Sequence, residues 1–151
     1  MIKWKKIGLI FTPKKKFSWM QSYYWVPLAE NINDKYVKVY FSSRNKNNFS
    51  STGHFLFNPE KKRIIKISKK PDINLGKLGS FDDSAAVACS LVNFRGNKYL
   101  YYVGWMRGRN VKYYPRLGLS ICKKNSKTFK KFSTAPIIDL SDKEPYGMAS
   151  P

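Results

Sequence analysis

Along the chain, hydrophobic and polar positions either alternate or gather into short apolar blocks, and the 3.6-residue period of a helix is nearly absent. "KYVKVYFSSR" (35–44), "HFLFN" (54–58), "RIIKIS" (63–68), "AAVACSLVNF" (85–94), "KYLYYVGW" (98–105), "LGLSIC" (117–122) and "PIIDL" (136–140) read as strands rich in Tyr, Val, Ile and Phe. Between them lie the turn signals "NIND", "RNKNN", "NPEKK", "FRGNK", "RGRN" and "KKNSK". Many short strands with frequent turns predict an all-β architecture.

The pattern repeats. "KYVKVYFSSRN" (35–45) aligns with "KYLYYVGWMRG" (98–108), and "SYYWVPLAENIND" before the first resembles "SAAVACSLVNFRGN" before the second. After each comes an apolar strand, a Lys-rich turn and a Pro-bearing segment. Asp82 recurs as Glu144, and "EPYGMASP" reads as the opening of a third unit. A repeat of roughly 60 residues holding four short strands is the blade of a β-propeller. The expected organisation is a partial propeller of four-stranded antiparallel blades, with blade 1 at about 18–78, blade 2 at about 79–141 and the start of blade 3 at about 142–151. Two blades leave sheet edges and faces unpaired. The chain therefore reads as an N-terminal fragment of a propeller of roughly five such units; a truncated reading frame and a self-assembling half-propeller stay open, and so does the oligomeric state.

Composition narrows the function classes. Hydrophobic residues make 42% and aromatics 16% of the 151 residues, enough for a packed core and too many for a disordered chain. The net charge of +20 invites an anionic partner. Lysine dominates arginine, however, and the abundance of Lys, Asn, Ile, Phe and Tyr follows AT-rich coding, so nucleic acid is not the expected partner. Two cysteines, Cys89 and Cys122, in apolar strand settings read as buried thiols. The apolar run Ile7–Phe11 is too short for a signal-peptide core, and no apolar stretch is long enough to span a membrane, which makes a cytoplasmic location the expectation.

The candidate chemistry begins at "GSFDDSAAVACSLV" (79–92), where Asp82 and Asp83 stand together in a chain with nine acids. The first strand of each blade lines a propeller's channel, so residues one unit apart converge on one axis. Asp82, Asp83 and Glu144 are thereby candidate paired carboxylates of the kind glycoside hydrolysis requires, one as general acid and another as base or as the group that tunes the acid. Turn capping by the aspartates and an ordinary loop role for Glu144 are the structural alternatives. No Cys/His metal spacing and no phosphate-cradling Gly-rich loop is present, no triad assembles around His54, and no cofactor is expected.

"FDDSAAVACSLV…KYLYYVGW", "RLGLSICKKNSKTFKK" and "APIIDLSDKEPYGMASP", in this order and spacing, resemble the five-bladed β-propeller superfamily of glycoside hydrolases that includes families 32, 43, 68, 117 and 130, most closely the glycosidase-like proteins found beside bacterial polysaccharide genes. The resemblance covers most of residues 18–151. It implies that Asp83 (or Asp82) matches the aspartate that positions substrate and tunes the acid, and that Glu144 matches the general acid. The family's first-blade base or nucleophile falls near Gln21 or Ser22, and residues 1–29 contain no acid. A glutamine can neither take the proton nor attack an anomeric carbon. The expected function is thus a carbohydrate-active, glycosidase-like propeller binding or cleaving a glycan in its axial funnel. Two alternatives remain: a non-catalytic glycan-binding propeller, and a basic protein that binds an anionic polymer or nucleic acid. Trp19, Gln21, Tyr23, Tyr24 and Trp25 are the candidate sugar contacts of the first unit, with Arg44 at the end of its strand; Trp105 and Arg107 hold the corresponding place in the second. Aromatic core packing is the rival reading for the aromatics.

Overall fold

The computed structural model describes residues 3–12, 14 and 17–149, so Ser150 and Pro151 of the expected third blade lie outside the described residues. Eight strands form in chain order: β1 (Ser22–Asn33), β2 (Tyr36–Arg44), β3 (Ser50–Asn58), β4 (Arg63–Ile67), β5 (Ala85–Phe94), β6 (Asn97–Arg107), β7 (Tyr113–Cys122) and β8 (Lys130–Lys131). Each strand pairs antiparallel with its successor within β1–β4 and within β5–β8, giving two consecutive four-stranded meanders. The two join where β3 meets β5 at one parallel pair, Ser50 with Ala85.

The turn residues explain the hairpins. Arg95 and Gly96 both take positive φ, 48° and 78°, between β5 and β6, the conformation of a two-residue type I′ connection. Asn33 Oδ1 accepts from the amides of Lys35 and Tyr36 between β1 and β2, and Asn45 Oδ1 from those of Asn47 and Phe49 between β2 and β3. Asparagine is used because its short side chain imitates a backbone turn.

The units repeat in packing as well as in order. Trp19 and Phe81 are equivalent: a Cβ at Gly53 would run into the Trp19 ring, and one at Gly118 into Phe81 and Tyr102. Tyr40 and Tyr102, each fully buried, meet in one core from the two units, and each gives its hydroxyl to a buried carboxylate: Glu30 at 3.1 Å and Asp82 at 2.8 Å.

Where the units meet, the core holds Tyr40, Ile73, Phe81, Ala86, Ala88, Leu100 and Tyr102. Ala85, Ala86 and Ala88 are almost wholly buried. Their small size lets β5 lie close against β3, and a larger side chain would overpack the seam. A second core, Trp19, Met20, Val39, Phe41, Phe55 and Phe57, is covered partly by Ile10 and Phe11 from the N-terminal segment.

The strands differ from the apolar pattern in several places: β1 is absent from the predicted runs, and β7 begins at Tyr113 rather than Leu117. β3 begins at Ser50, because polar "SST" is buried at the seam, where Ser50 pairs with Ala85 and Thr52 is hydrogen-bonded to β5. Thr52 Oγ1 donates to Ala86 O and accepts from Ala88 N, both at 2.9 Å; with its one proton so used, the 3.0 Å contact with Ser42 Oγ is donated by Ser42. "PIIDL" forms a single bridge, Ile138 with Leu117, instead of a strand. Pro136 offers no N–H, and Asp139 turns to pair with Arg116, so the ladder stops there. The fourth strand is instead Lys130–Lys131, inside what reads as a Lys-rich turn, paired with Ser120 and Ile121. Of the cysteines, Cys122 is buried, but Cys89 is only half-buried.

Candidate functional site

β1 and β5 begin at the same end of the molecule, where β2 and β6 finish, since Ser22 pairs with Arg44 and Ala85 with Trp105. At this end β1 is irregular. Its register slips between Ser22 and Trp25 and again between Trp25 and Leu28, with Tyr23 and Val26 at φ of 50° and 49°. Pro27 cannot donate to the ladder, and a β-branched residue at positive φ is strained. Such bulges re-aim side chains, often at functional sites.

Here they carry Trp25 to the second unit. Its ring centroid lies 5.7 Å from that of Trp105, which lies 5.4 Å from that of Tyr113 at the start of β7. The Arg44 guanidinium sits 4.2 Å over the Tyr23 ring. Arg107 reaches back across the seam: its Nη2 donates to Asn47 O at 3.0 Å and Asn48 O at 2.9 Å, and its guanidinium lies 4.5 Å over Phe49. Arg44, Trp105, Arg107, Arg109, Lys112 and Tyr113 line most of the resulting cleft of about 590 Å³. Two donors beside it, Trp25 Nε1 and Arg44 Nε, are buried without a hydrogen-bond partner among the described residues.

The candidate acids have three different settings. Asp82 is 2% exposed. It accepts from Tyr102 Oη at 2.8 Å, Lys131 Nζ at 2.5 Å and Ser80 Oγ at 3.0 Å. Burial first, and then the Asp82 charge, push the Tyr102 phenol far above its ordinary value, so it stays a neutral donor. Asp82 thus faces inward, toward a separate cavity of about 730 Å³ bounded by the 72–80 connection, Ser120, Phe129 and Lys131. Asp83 is half-buried and organises the turn: Oδ2 accepts from Gly79 N at 2.9 Å and Oδ1 from Ser84 Oγ at 2.6 Å. Ser84 N in turn donates to Trp105 O at 3.1 Å, which sets Asp83 next to the backbone that carries the cleft tryptophan. Glu144 is exposed in a small turn closed by its amide on Ser141 O. The segment after it leans on β7, with Met148 N donating to Pro115 O at 3.3 Å, and Pro115 stands opposite Trp105 in the ladder.

The first-unit candidates divide. Tyr23, Trp25 and Arg44 join Trp105 and Arg107 around the cleft. Trp19, 6% exposed, and Tyr24, against Phe11 and Phe41, belong to the first-unit core. Gln21 Nε2 donates to Phe17 O, and its amide to Arg44 O. His54 pairs with Asp72 at 2.6 Å, fastening the inter-unit connection to β3. Arg109, Lys112 and Tyr113 were not singled out by sequence; the signal for them is that "RGRN" and the residues after it are rich in Arg beside an aromatic strand end. Lys131 and Tyr102 around Asp82 carry no local signal at all.

No family model matches the chain. Two uncharacterised proteins of Mycobacterium tuberculosis, from its Oshkosh and H37Rv strains, are each 30% identical to it over 149 residues, covering 98% of this chain and 50% of theirs. The chain therefore spans about half the length of the curated relatives it matches. Among solved structures, a glycosyl hydrolase from Bacteroides ovatus superposes with a TM-score of 0.66 at 14% identity, over 93% of this chain and 42% of that one. A candidate glycoside hydrolase from Parabacteroides distasonis gives 0.55 at 19%, over 85% and 38%. At these identities the likeness is one of fold: an all-β, propeller-like arrangement of antiparallel units.

Proposed function

We propose that this chain forms adjacent blades of a carbohydrate-active, glycosidase-like propeller, blade 1 at about 18–78, blade 2 at about 79–141 and a third beginning at 142, and that a glycan occupies the funnel end marked by the Trp25–Trp105–Tyr113 cleft. The observation that carries this reading is the aromatic row itself. Two bulges and a strained Val26 bring an indole from one unit against an indole from the next, at a partly open cleft rather than in either core. Aromatic faces at such a place suit the apolar C–H faces of pyranose rings.

For chemistry, Asp83 and Glu144 are the acids at this end, Glu144 as general acid and Asp83 as the group that positions substrate and tunes it. Asp82, held by three donors, positions the Asp83 turn. The rest of the ring, and with it any base, lies beyond these blades. Gln21 at the first-blade position favours a second reading, in which the funnel binds glycan without cleaving it.

The test is a glycan-binding and turnover panel. Binding that is lost in Trp105→Ala, with turnover lost but binding kept in Glu144→Gln, supports the enzyme. Binding with no turnover of any panel member supports the second reading, and no glycan binding at all overturns both.

A further inference from the structure

We infer that the ligand of the Trp25–Trp105–Tyr113 cleft is an acidic glycan, whose carboxylate or sulfate group sits among Arg44, Arg107, Arg109 and Lys112; this rests on the glycan reading above and sharpens it. The chain has six arginines, and three line this one cleft. A coding bias toward lysine does not explain that concentration, since lysine outnumbers arginine throughout the rest of the chain. Arginine is the side chain whose planar fork matches a carboxylate or sulfate.

None of these cations has a carboxylate partner among the described residues. The ion pairs lie elsewhere: Lys98 with Glu30, Lys131 with Asp82, and Arg116 with Asp139, while Asp72 is held by His54. No acid lines the cleft. Four like charges share a small volume, and a bound anion would relieve their repulsion.

The donors are also held ready. Arg44 is fixed over the Tyr23 ring while its side chain lines the cleft. Arg107 uses only Nη2 on Asn47 and Asn48, which locks the guanidinium while its remaining donors have no protein acceptor among the described residues. A bounded cleft of about 590 Å³ suits one or two sugar rings; a nucleic-acid strand needs an extended basic track.

Tryptophan fluorescence titration of the full chain at physiological salt tests this. The probes are hexagalacturonate, a sulfated heparin hexasaccharide, neutral maltohexaose and cellohexaose, and a ten-residue oligothymidylate. One of the two acidic sugars should bind at least about tenfold tighter than either neutral sugar, and the tighter one identifies the anion. Arg44→Gln should reduce that affinity by about tenfold, as should Arg109→Gln, which is exposed and does not endanger folding. Lys61→Gln with Lys69→Gln, both on exposed turns away from the cleft, should leave it unchanged. Equal affinity for neutral and acidic sugars overturns the acidic assignment while the glycan reading stands; no sugar binding overturns both. Tighter binding of oligothymidylate than of any sugar, or an equal loss in the Lys61/Lys69 variant, also overturns it, by showing a nucleic-acid ligand or bulk charge attraction.

Discussion

Trp25 of the first unit and Trp105 of the second stand with their ring centroids 5.7 Å apart, at a tilt of 47°. Neither belongs to the hydrophobic cores, and each comes from a different four-stranded unit. Their meeting depends on the bulges at Tyr23 and Val26, which turn β1 away from a regular ladder. Trp105→Ala should leave the fold intact by far-UV circular dichroism and weaken glycan binding by about tenfold or more by calorimetry.

The adjacent aspartates should separate into a structural and a functional residue. Asp82→Asn exchanges a buried carboxylate for an amide against Lys131 and Tyr102, and should lower stability by about 2 kcal/mol or more in urea denaturation. Asp83→Asn should cost less stability and act chiefly on turnover. A reversed order, with Asp83→Asn the more destabilising, would return Asp83 to the role of a turn cap.

Lys131→Met leaves the 2% exposed Asp82 carboxylate without its cation. Breaking a buried pair costs about 3–5 kcal/mol; because the Lys131 side chain is itself 25% exposed, the lower end of that range is expected. Chemical denaturation of wild type and variant measures it. A loss below about 0.5 kcal/mol, typical of surface pairs, would show that solvent screens the contact.

Alkaline pH should unfold the protein through its two buried phenols. Burial, followed by nearby carboxylate charge, raises the pKa of Tyr40 and Tyr102 far above the ordinary value. The folded state therefore keeps protons that the unfolded chain releases above about pH 10. That contribution is complete below pH 10 and falls away as pH rises further. Ultraviolet titration should show these two tyrosines ionising only with unfolding. Tyr40→Phe and Tyr102→Phe should flatten the alkaline decline, though each also loses a buried hydrogen bond.

Arg107→Ala should loosen the seam. Its guanidinium holds Asn47 O and Asn48 O across the units, and hydrogen exchange should quicken at Asn48 and Phe49 with a stability loss of about 1 kcal/mol.

Much of the fold was legible because strands announce themselves locally. Alternation placed β2, β4, β5 and β6 within a residue or two, and the repeat of "KYVKVYFSSRN" at "KYLYYVGWMRG" exposed two equivalent units. β8 escaped because two lysines have no apolar signature and pair only through Ser120 and Ile121. The start of β3 escaped because Ser50–Thr52 are polar; they are buried only once Ala86 and Ala88 arrive to complete the hydrogen bonds of Thr52. At the site, the sequence marked Trp25 as a sugar contact and Arg44 with Trp105 and Arg107 as corresponding strand ends, but treated Asp82 and Asp83 as one feature.

What the chain determines by itself is the period of its strands, its turns and its unit repeat, since these depend on neighbours a few residues away. Only tertiary structure decided which side of a strand end becomes surface. Trp19 and Trp25 are near neighbours of one type, yet one closes over Gly53 in the core and the other crosses to Trp105. Asp82 turns inward to Lys131 and Asp83 remains at the turn. The physical reason is that pleat and bulge set the direction of each side chain, while its partner is delivered by a different unit of the chain.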